Sequence, residues 1–193
     1  MARVLVLFAH PAFERSRVNR ALALEIADRP WLTFRDLYQV YPDFDIDPGA
    51  EQALLEAHDV VVFQHPFYWY SVPPLLKQWQ DLVLQHGWAY GHEGHALEGK
   101  AAMHALTAGG GREAYAAEGK NHFTIDELLR PCEQTARLCR MRWLPPFVVY
   151  GTHRLGAEGV KAEARRYRTR LEALRDDRTL EVVRAPAEQE RGA

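Results

Sequence analysis

The sequence predicts an α/β fold, a three-layer sandwich in which helices cover both faces of a five-stranded parallel sheet. Short β-rich apolar runs alternate with longer helical ones along the chain, and strands separated by helix-length segments imply βαβ crossovers. The 193 residues, 47% hydrophobic and 26% charged, suffice for one sizeable core and little more. No repeat or linker interrupts them, so a single domain is expected over residues 1–184.

The elements follow in order. Arg3 to Phe8 reads as a buried strand; its apolar run, broken by His10 and Pro11, is too brief for a secretion signal. A helix from Val18 to Asp28 leads to a second strand, Leu32 to Tyr38. Glu51 to Ala57 forms a short helix before the third strand, Asp59 to Gln64 (DVVVFQ). Pro74 suits the first turn of a helix running to His86. Ala101 to Thr107 is the fourth strand, Asp126 to Arg140 a helix and Phe147 to Tyr150 the fifth strand. Ala157 to Arg175 is a closing amphipathic helix, and Leu180 to Val183 adds edge structure. The polar tail, residues 185–193, is expected to fray. Cys132 and Cys139 lie two helical turns apart, roughly 10 Å between Cα atoms, beyond disulfide reach, and share one buried face. No zinc-type cysteine spacing occurs, so no metal site is expected.

Charge narrows the functions. The net charge is −2 with a pI near 6.5, and no Lys/Arg stripe marks a nucleic-acid partner. Near-neutrality also argues against a polyanionic carrier that docks by charge steering. The longest purely apolar runs fall far short of the ~20 residues that span a bilayer, so a cytoplasmic location is expected.

The informative residues follow the strands. In an open α/β sheet, ligands bind outside the carboxyl ends of the strands at the topological switch point. After the first strand comes HPAFERSRVN, where His10, Ser16 and Asn19 stand beside a helix N-terminus, a ready anion site; the alternative is that Ser16 only caps the helix. After the third comes HPFYWYSVPP, whose rings could wall a flat ligand, or pack under the next helix, or meet another subunit. After the fourth comes TAGGGREAY, whose glycines bring backbone N–H groups close to a ligand, or form a flexible turn. Together, a phosphate end, an aromatic wall and a glycine loop describe a flavin mononucleotide pocket.

Other motifs fail on context. GHALEGKA (Gly94–Ala101) approximates a phosphate-binding loop, yet Ala101 replaces the hydroxyl residue and the segment precedes a strand instead of following one. His86, His92 and His95 lie around glycine-rich connecting sequence without metal-ligand spacing. Neither serine, Ser16 or Ser71, sits in G-x-S-x-G, and neither cysteine carries the signature of an activated nucleophile.

Seven segments carry a family resemblance: LFAHP, SRVN, LYQVYPDFDID, QHPFYWYSVPPLLKQWQD, HGWAYG, GKAAMHALTAGGG and WLPPFVVYG, spanning Leu7 to Gly151. The chain resembles the flavodoxin-like NAD(P)H:quinone oxidoreductases, and within them the ancillary flavoproteins (KefF and KefG type) of the glutathione-regulated potassium-efflux system. The resemblance implies a flavodoxin-like homodimer with flavin sites near the subunit interface, holding FMN as the short bacterial members do, whereas the diaphorase branch holds FAD. It places His10, Ser16, Arg17, Val18 and Asn19 around the phosphate and ribityl chain. Phe67, Tyr68, Trp69 and Tyr70, with Thr107, Ala108, Gly109 and Gly110, would line the isoalloxazine. Tyr115 matches a tyrosine at the flavin's pyrimidine edge, and His122 is an offset counterpart of its histidine partner. Two residues depart from the family: Ala108 stands where a second threonine is usual, and Tyr68 where glutamine is. Neither departure abolishes a pocket built largely from backbone groups, but both bear on substrate preference.

The implied activity is two-electron hydride transfer from NADH or NADPH to flavin and on to a quinone, in ping-pong order through one shared slot. The rival reading is a regulatory subunit docked on a membrane potassium/proton antiporter at the inner face of the cell membrane. A third is a one-electron flavodoxin-type carrier.

Overall fold

The computed structural model describes residues 1–180. Strands β1 (Val4–Phe8), β2 (Leu32–Asp36), β3 (Val60–Pro66) and β4 (Ala101–Thr107) pair in parallel in the order β2-β1-β3-β4. The fifth position is shared by two short strands. β5 (Arg142–Trp143) pairs with the start of β4, and β6 (Phe147–Val149) with its end. The expected fifth strand, Phe147 to Tyr150, is present as β6; β5 is an additional short strand, separated from it by Pro145 and Pro146, which have no N–H to give the ladder.

Alternate residues of each strand feed opposite cores. Val4, Val6, Val60, Val62 and Met103 face α1 (Val18–Ile26) and α7 (Ala157–Asp176). Leu5, Leu7, Val61, Phe63 and Ala102 face the other layer, where α3 (Pro48–Ala57), α4 (Pro74–Val83) and α6 (Arg130–Leu138) supply Leu55, Trp79 and Ala136. The three-layer sandwich expected from the sequence is therefore the observed fold.

Boundaries differ where local chemistry intervenes. The second strand stops at Asp36, whose carboxylate accepts the N–H groups of Tyr38 (3.1 Å) and Gln39 (3.3 Å) and so opens a short helix, α2 (Leu37–Val40). The predicted helix from Asp126 to Arg140 is two: α5 (Ile125–Leu128), started by a Thr124–Glu127 capping box, and α6, which has Pro131 in its first turn. The helix expected to reach His86 ends at Val83. Leu180 is buried at the end of a short 3-10 turn, and the rest of the expected edge structure, with the tail, lies outside the described residues.

The decoys acquire structural roles. Lys100 of GHALEGKA is buried and donates to the backbone carbonyls of Glu56 (3.1 Å) and His58 (2.6 Å), holding the end of α3 against the sheet. His95 pairs with Glu98 at 2.6 Å. Both cysteines are free and border one small apolar cavity beneath α6, and burial pushes both thiols up to about 11. At neutral pH they are thiols, not nucleophilic thiolates. No helix among the described residues is long and apolar enough to cross a membrane.

Candidate functional site

Two clefts open at the carboxyl ends of the strands, one of about 650 Å³ and one of about 530 Å³. They share three lining residues, Phe67, Gly109 and His153, and so meet at a neck.

The first cleft forms where β1 hands over to α1. His10, at the strand's end, is buried, and its Nδ1 accepts the Ala12 N–H at 3.0 Å. The proton of the neutral ring then resides on Nε2. Burial lowers the pKa of this imidazole, which favours that neutral form. The 3-10 turn Phe13–Arg15 and Ser16 carry the chain to α1, whose first N–H groups are capped by no side chain. The Ser16 hydroxyl is therefore not a helix cap; it lines the cleft with Arg15, Arg17 and Val18. An uncapped helix N-terminus flanked by guanidinium groups favours an anion. The Arg17 guanidinium also donates to the carbonyls of Leu155 and Thr152, tying the segment after β6 to α1.

Asn19 is the most telling residue of this cleft. Only 1% exposed, it donates from Nδ2 to Thr107 Oγ1 at 2.6 Å, while its Oδ1 has no partner. Gln64, beneath it, donates to the Asn19 carbonyl at 3.3 Å and likewise leaves Oε1 unpaired. A buried amide atom without a partner carries a desolvation cost of about 1–3 kcal/mol unless a ligand or water meets it. At Asn19 that atom belongs to a residue on the cleft wall.

The second cleft is aromatic. After β3, Phe67 is buried and donates its N–H to the Thr107 carbonyl at 2.9 Å. The next four residues form a tight turn in which Ser71 N–H donates to the Tyr68 carbonyl at 3.0 Å. Trp69 (φ 48°) and Tyr70 (φ 63°) both lie in the left-handed region, the signature of a type I′ turn, a role that favours asparagine and glycine. Trp69 is 93% exposed, so it does not pack under the following helix. Tyr68 stands edge-on to His10, 6.0 Å between centroids, and lines the first cleft instead. Tyr70 donates from its hydroxyl to Asn121 Oδ1 at 3.2 Å across the second cleft.

After β4, Thr107 and Gly109 reach the clefts, whereas Ala108 does not. Its methyl is buried, its N–H donates to the Val149 carbonyl (2.9 Å), and its carbonyl accepts from Thr152 N–H (3.2 Å). Ala108 anchors the loop without lining it. A Cβ at Gly109 would lie 2.7 Å from His153 Nε2, and one at Gly110 would lie 3.1 Å from the Tyr115 ring. Tyr115 borders the second cleft, and burial raises its pKa, with Tyr70 and Tyr150 acting in the same direction, so its hydroxyl keeps its proton.

His122 is the expectation the geometry does not support. It is exposed, in a left-handed conformation (φ 60°), and lines neither cleft. The sequence reading also passed over Arg15, Lys120, Asn121, Thr152 and His153, all of which line a cleft. Thr152 and His153 were within reach of the rule that selected the other loops, since they follow the carboxyl end of the fifth strand position.

The residues present fit a flavin mononucleotide. One end offers anion-binding backbone and a buried amide lacking a partner, the other offers flat aromatic walls, and the neck between them has a glycine where a side chain would collide. The family model described as flavodoxin-like fold matches residues 2–174. The chain is 51% identical over 164 residues to general stress protein 14 of Bacillus subtilis, covering 85% of this chain and 94% of that one. It is 47% identical over 168 residues to the glutathione-regulated potassium-efflux system ancillary protein KefF of Klebsiella aerogenes, covering 87% and 94%. Among solved structures, general stress protein 14 of Treponema denticola in complex with FMN matches with a TM-score of 0.86 at 40% identity, covering 89% of this chain and 99% of that one. An NADPH-quinone reductase from P. pentosaceus matches with a TM-score of 0.79 at 32% identity, covering 87% and 96%.

Proposed function

This chain belongs to the flavodoxin-like-fold family, and from that premise we propose that it is an FMN-dependent NAD(P)H:quinone oxidoreductase. The observation that carries the reading is the pair of clefts meeting at one neck, anion-binding at one end and aromatic at the other.

FMN, when bound, supplies the two-electron chemistry that links a nicotinamide donor to a quinone acceptor. The chain's own residues bind and orient. The free N–H groups at the start of α1, the Ser16 hydroxyl and the positive charge of Arg17 hold a phosphate. His10 Nε2–H and the Asn19 amide serve the polyol chain. Phe67, Trp69 and Tyr70 wall the ring system, and the Tyr115 phenol, kept protonated by burial, is a donor beside it. The second cleft presents rings and the Lys120 ammonium but no carboxylate, a lining suited to stacking planar substrates. One such slot admits nicotinamide and quinone in turn, and alternating occupancy gives ping-pong kinetics. Exposed Trp69 stands at this mouth, consistent with a homodimer that covers it.

A second role is favoured by the similarity to KefF: an ancillary subunit of a membrane potassium/proton antiporter, working from the cytoplasm at the inner face of the membrane. The two roles are compatible. The deciding experiment is an anaerobic visible spectrum of the purified protein before and after NADPH, with the released flavin identified by chromatography. Bound FMN that bleaches with NADPH and recovers with a soluble quinone is the expected result. Bound FMN that does not bleach would leave the ancillary role alone standing, and failure to bind FMN after reconstitution would overturn both.

A further inference from the structure

A ligand that occupies both clefts runs past Phe67, Gly109 and His153, because these three residues line both. Of the three side chains, only the imidazole carries polar atoms. Its ring fills space that glycine leaves open, since a Cβ at 109 would lie 2.7 Å from Nε2. Neither ring nitrogen has a hydrogen-bond partner among the described residues. Around it, the neighbouring groups are already committed: Arg154 pairs with Glu113 at 2.8 Å, and Arg17 donates to the Leu155 and Thr152 carbonyls. An exposed imidazole without a hydrogen-bond partner among the described residues thus stands where the two clefts adjoin, on a loop that Arg17 ties to α1.

We propose that His153 is a cofactor-contacting residue, which donates a hydrogen bond to the flavin's pyrimidine edge and stabilises the negative charge of the reduced form. The inference rests on the FMN reading above and assigns to it a residue that the sequence resemblance did not. The chemistry of the ligand selects the atom. In FMN the polyol chain leaves the ring system at N10, and the nearest polar ring position on that side is N1, where reduction places charge. With the phosphate in the first cleft and the rings in the second, the chain-to-ring junction falls at the neck, beside His153. A donor to a charged acceptor is worth more than one to a neutral acceptor, so the contact favours reduced over oxidised flavin.

The test compares wild type with His153→Ala, His153→Gln and His122→Ala, measuring the FMN dissociation constant by fluorescence and the two-electron midpoint potential spectroscopically. His153→Ala is expected to bind oxidised FMN several-fold more weakly. Reduced FMN should lose a further tenfold, which lowers the potential by about 30 mV. His153→Gln, which keeps a donor, should recover part of that shift. A wild-type protein that does not bind FMN would defeat the function proposed above. A wild type that binds FMN, with His153→Ala matching it in affinity and potential, would defeat this inference alone. So would a shift in His122→Ala with none in His153→Ala.

Discussion

The two ends of the sheet use similar polar residues in opposite ways. At the amino end, Asp59 accepts from the Arg3 N–H (2.8 Å) and from its guanidinium at Nε (3.2 Å) and Nη2 (3.1 Å). His58 bonds through both ring nitrogens, to the Leu54 carbonyl and the Thr33 hydroxyl, each at 2.7 Å. Lys100 closes the carbonyls of Glu56 and His58. At the carboxyl end, Asn19 and Gln64 each bury an unpaired oxygen, the α1 N-terminus is uncapped, and two bulky aromatics sit at positive φ. The first end spends its hydrogen-bonding capacity on itself. The second keeps it open for something outside the chain, and forgoes stability in doing so.

That contrast is open to direct attack. Lys100→Met should have the largest effect on stability. It strips two carbonyls of their buried donor at about 1–3 kcal/mol each, so a loss of about 3 kcal/mol is expected in urea unfolding of the apoprotein. FMN affinity should stay within about twofold of wild type. A large loss of affinity would mean that the two ends are not separable. The converse variant is Asn19→Ala, which should weaken FMN binding by about thirtyfold, or about 2 kcal/mol. Its apoprotein should lose no more than about 1 kcal/mol, because the unpaired amide atom disappears with the bond to Thr107. Unchanged FMN affinity would remove Asn19 from the site.

Between the two ends lies a buried histidine pair that joins β3 to β4. His65 Nδ1 lies 2.9 Å from the Pro66 carbonyl, so it donates there, and its Nε2 accepts from His104 Nδ1–H at 2.9 Å. Both rings are neutral in this arrangement, and a proton on His65 Nε2 would set N–H against N–H. Burial lowers His65 to about 4 and His104 in the same direction, with the charge of His65 a second cause for His104. The unfolded chain, with histidines near 6.5, takes up protons first as pH falls. Stability should be full above about pH 6.5 and decline toward pH 4 by about 1.4 kcal/mol per unit from His65 alone. A shallower slope between pH 6.5 and 5 in His65→Phe than in wild type would assign the difference to His65, the remaining slope coming from buried His104, His10 and His58. Equal slopes would refute the assignment.

How much of this was legible in the sequence divides along the same line. The amphipathic alternation that builds the sheet and its two cores is a local signal, and the sandwich followed from it. The three loops after strands one, three and four stood out by composition. What escaped was set by contacts distant in sequence. Leu144 bonds back to Ala102 and leaves Pro145 and Pro146 to divide the fifth strand position. Ala108 sits inside TAGGG and reads as part of the glycine loop, yet its backbone is taken by Val149 and Thr152, far along the chain. His122 is only an offset counterpart of the family's histidine, and position along a loop says little about contact; backbone hydrogen bonds turn the chain at Gly119 and Asn121, and Asn121 meets Tyr70 while His122 lines neither cleft. Nothing local marks His153, since neighbouring Thr152 and Arg154 look like ordinary loop polarity, and only the fold brings that loop over Gly109.

The turn after β3 offers the smallest effect and the clearest separation of the two ends. Trp69 and Tyr70 occupy positions where a left-handed backbone disfavours any residue with a Cβ, by roughly 1–2 kcal/mol each, and bulky residues tolerate it poorly. Trp69, at 93% exposure, recovers little of that cost by burial within the chain. The double variant Trp69→Asn, Tyr70→Gly installs the pair that a type I′ turn prefers. It also removes the Tyr70–Asn121 hydrogen bond, an exposed contact of about 0.5–1 kcal/mol. The net expectation is a gain of about 1 kcal/mol in apoprotein stability, measured by denaturant unfolding. Quinone turnover should fall in the same variant, because two of the four rings that wall the second cleft are gone while Phe67 and Tyr115 remain. If stability instead drops while turnover persists, the two aromatics serve the fold, and the strain at this turn is offset by packing within the chain. Stability gained together with turnover lost would mean that the strained conformation is kept for its ligand.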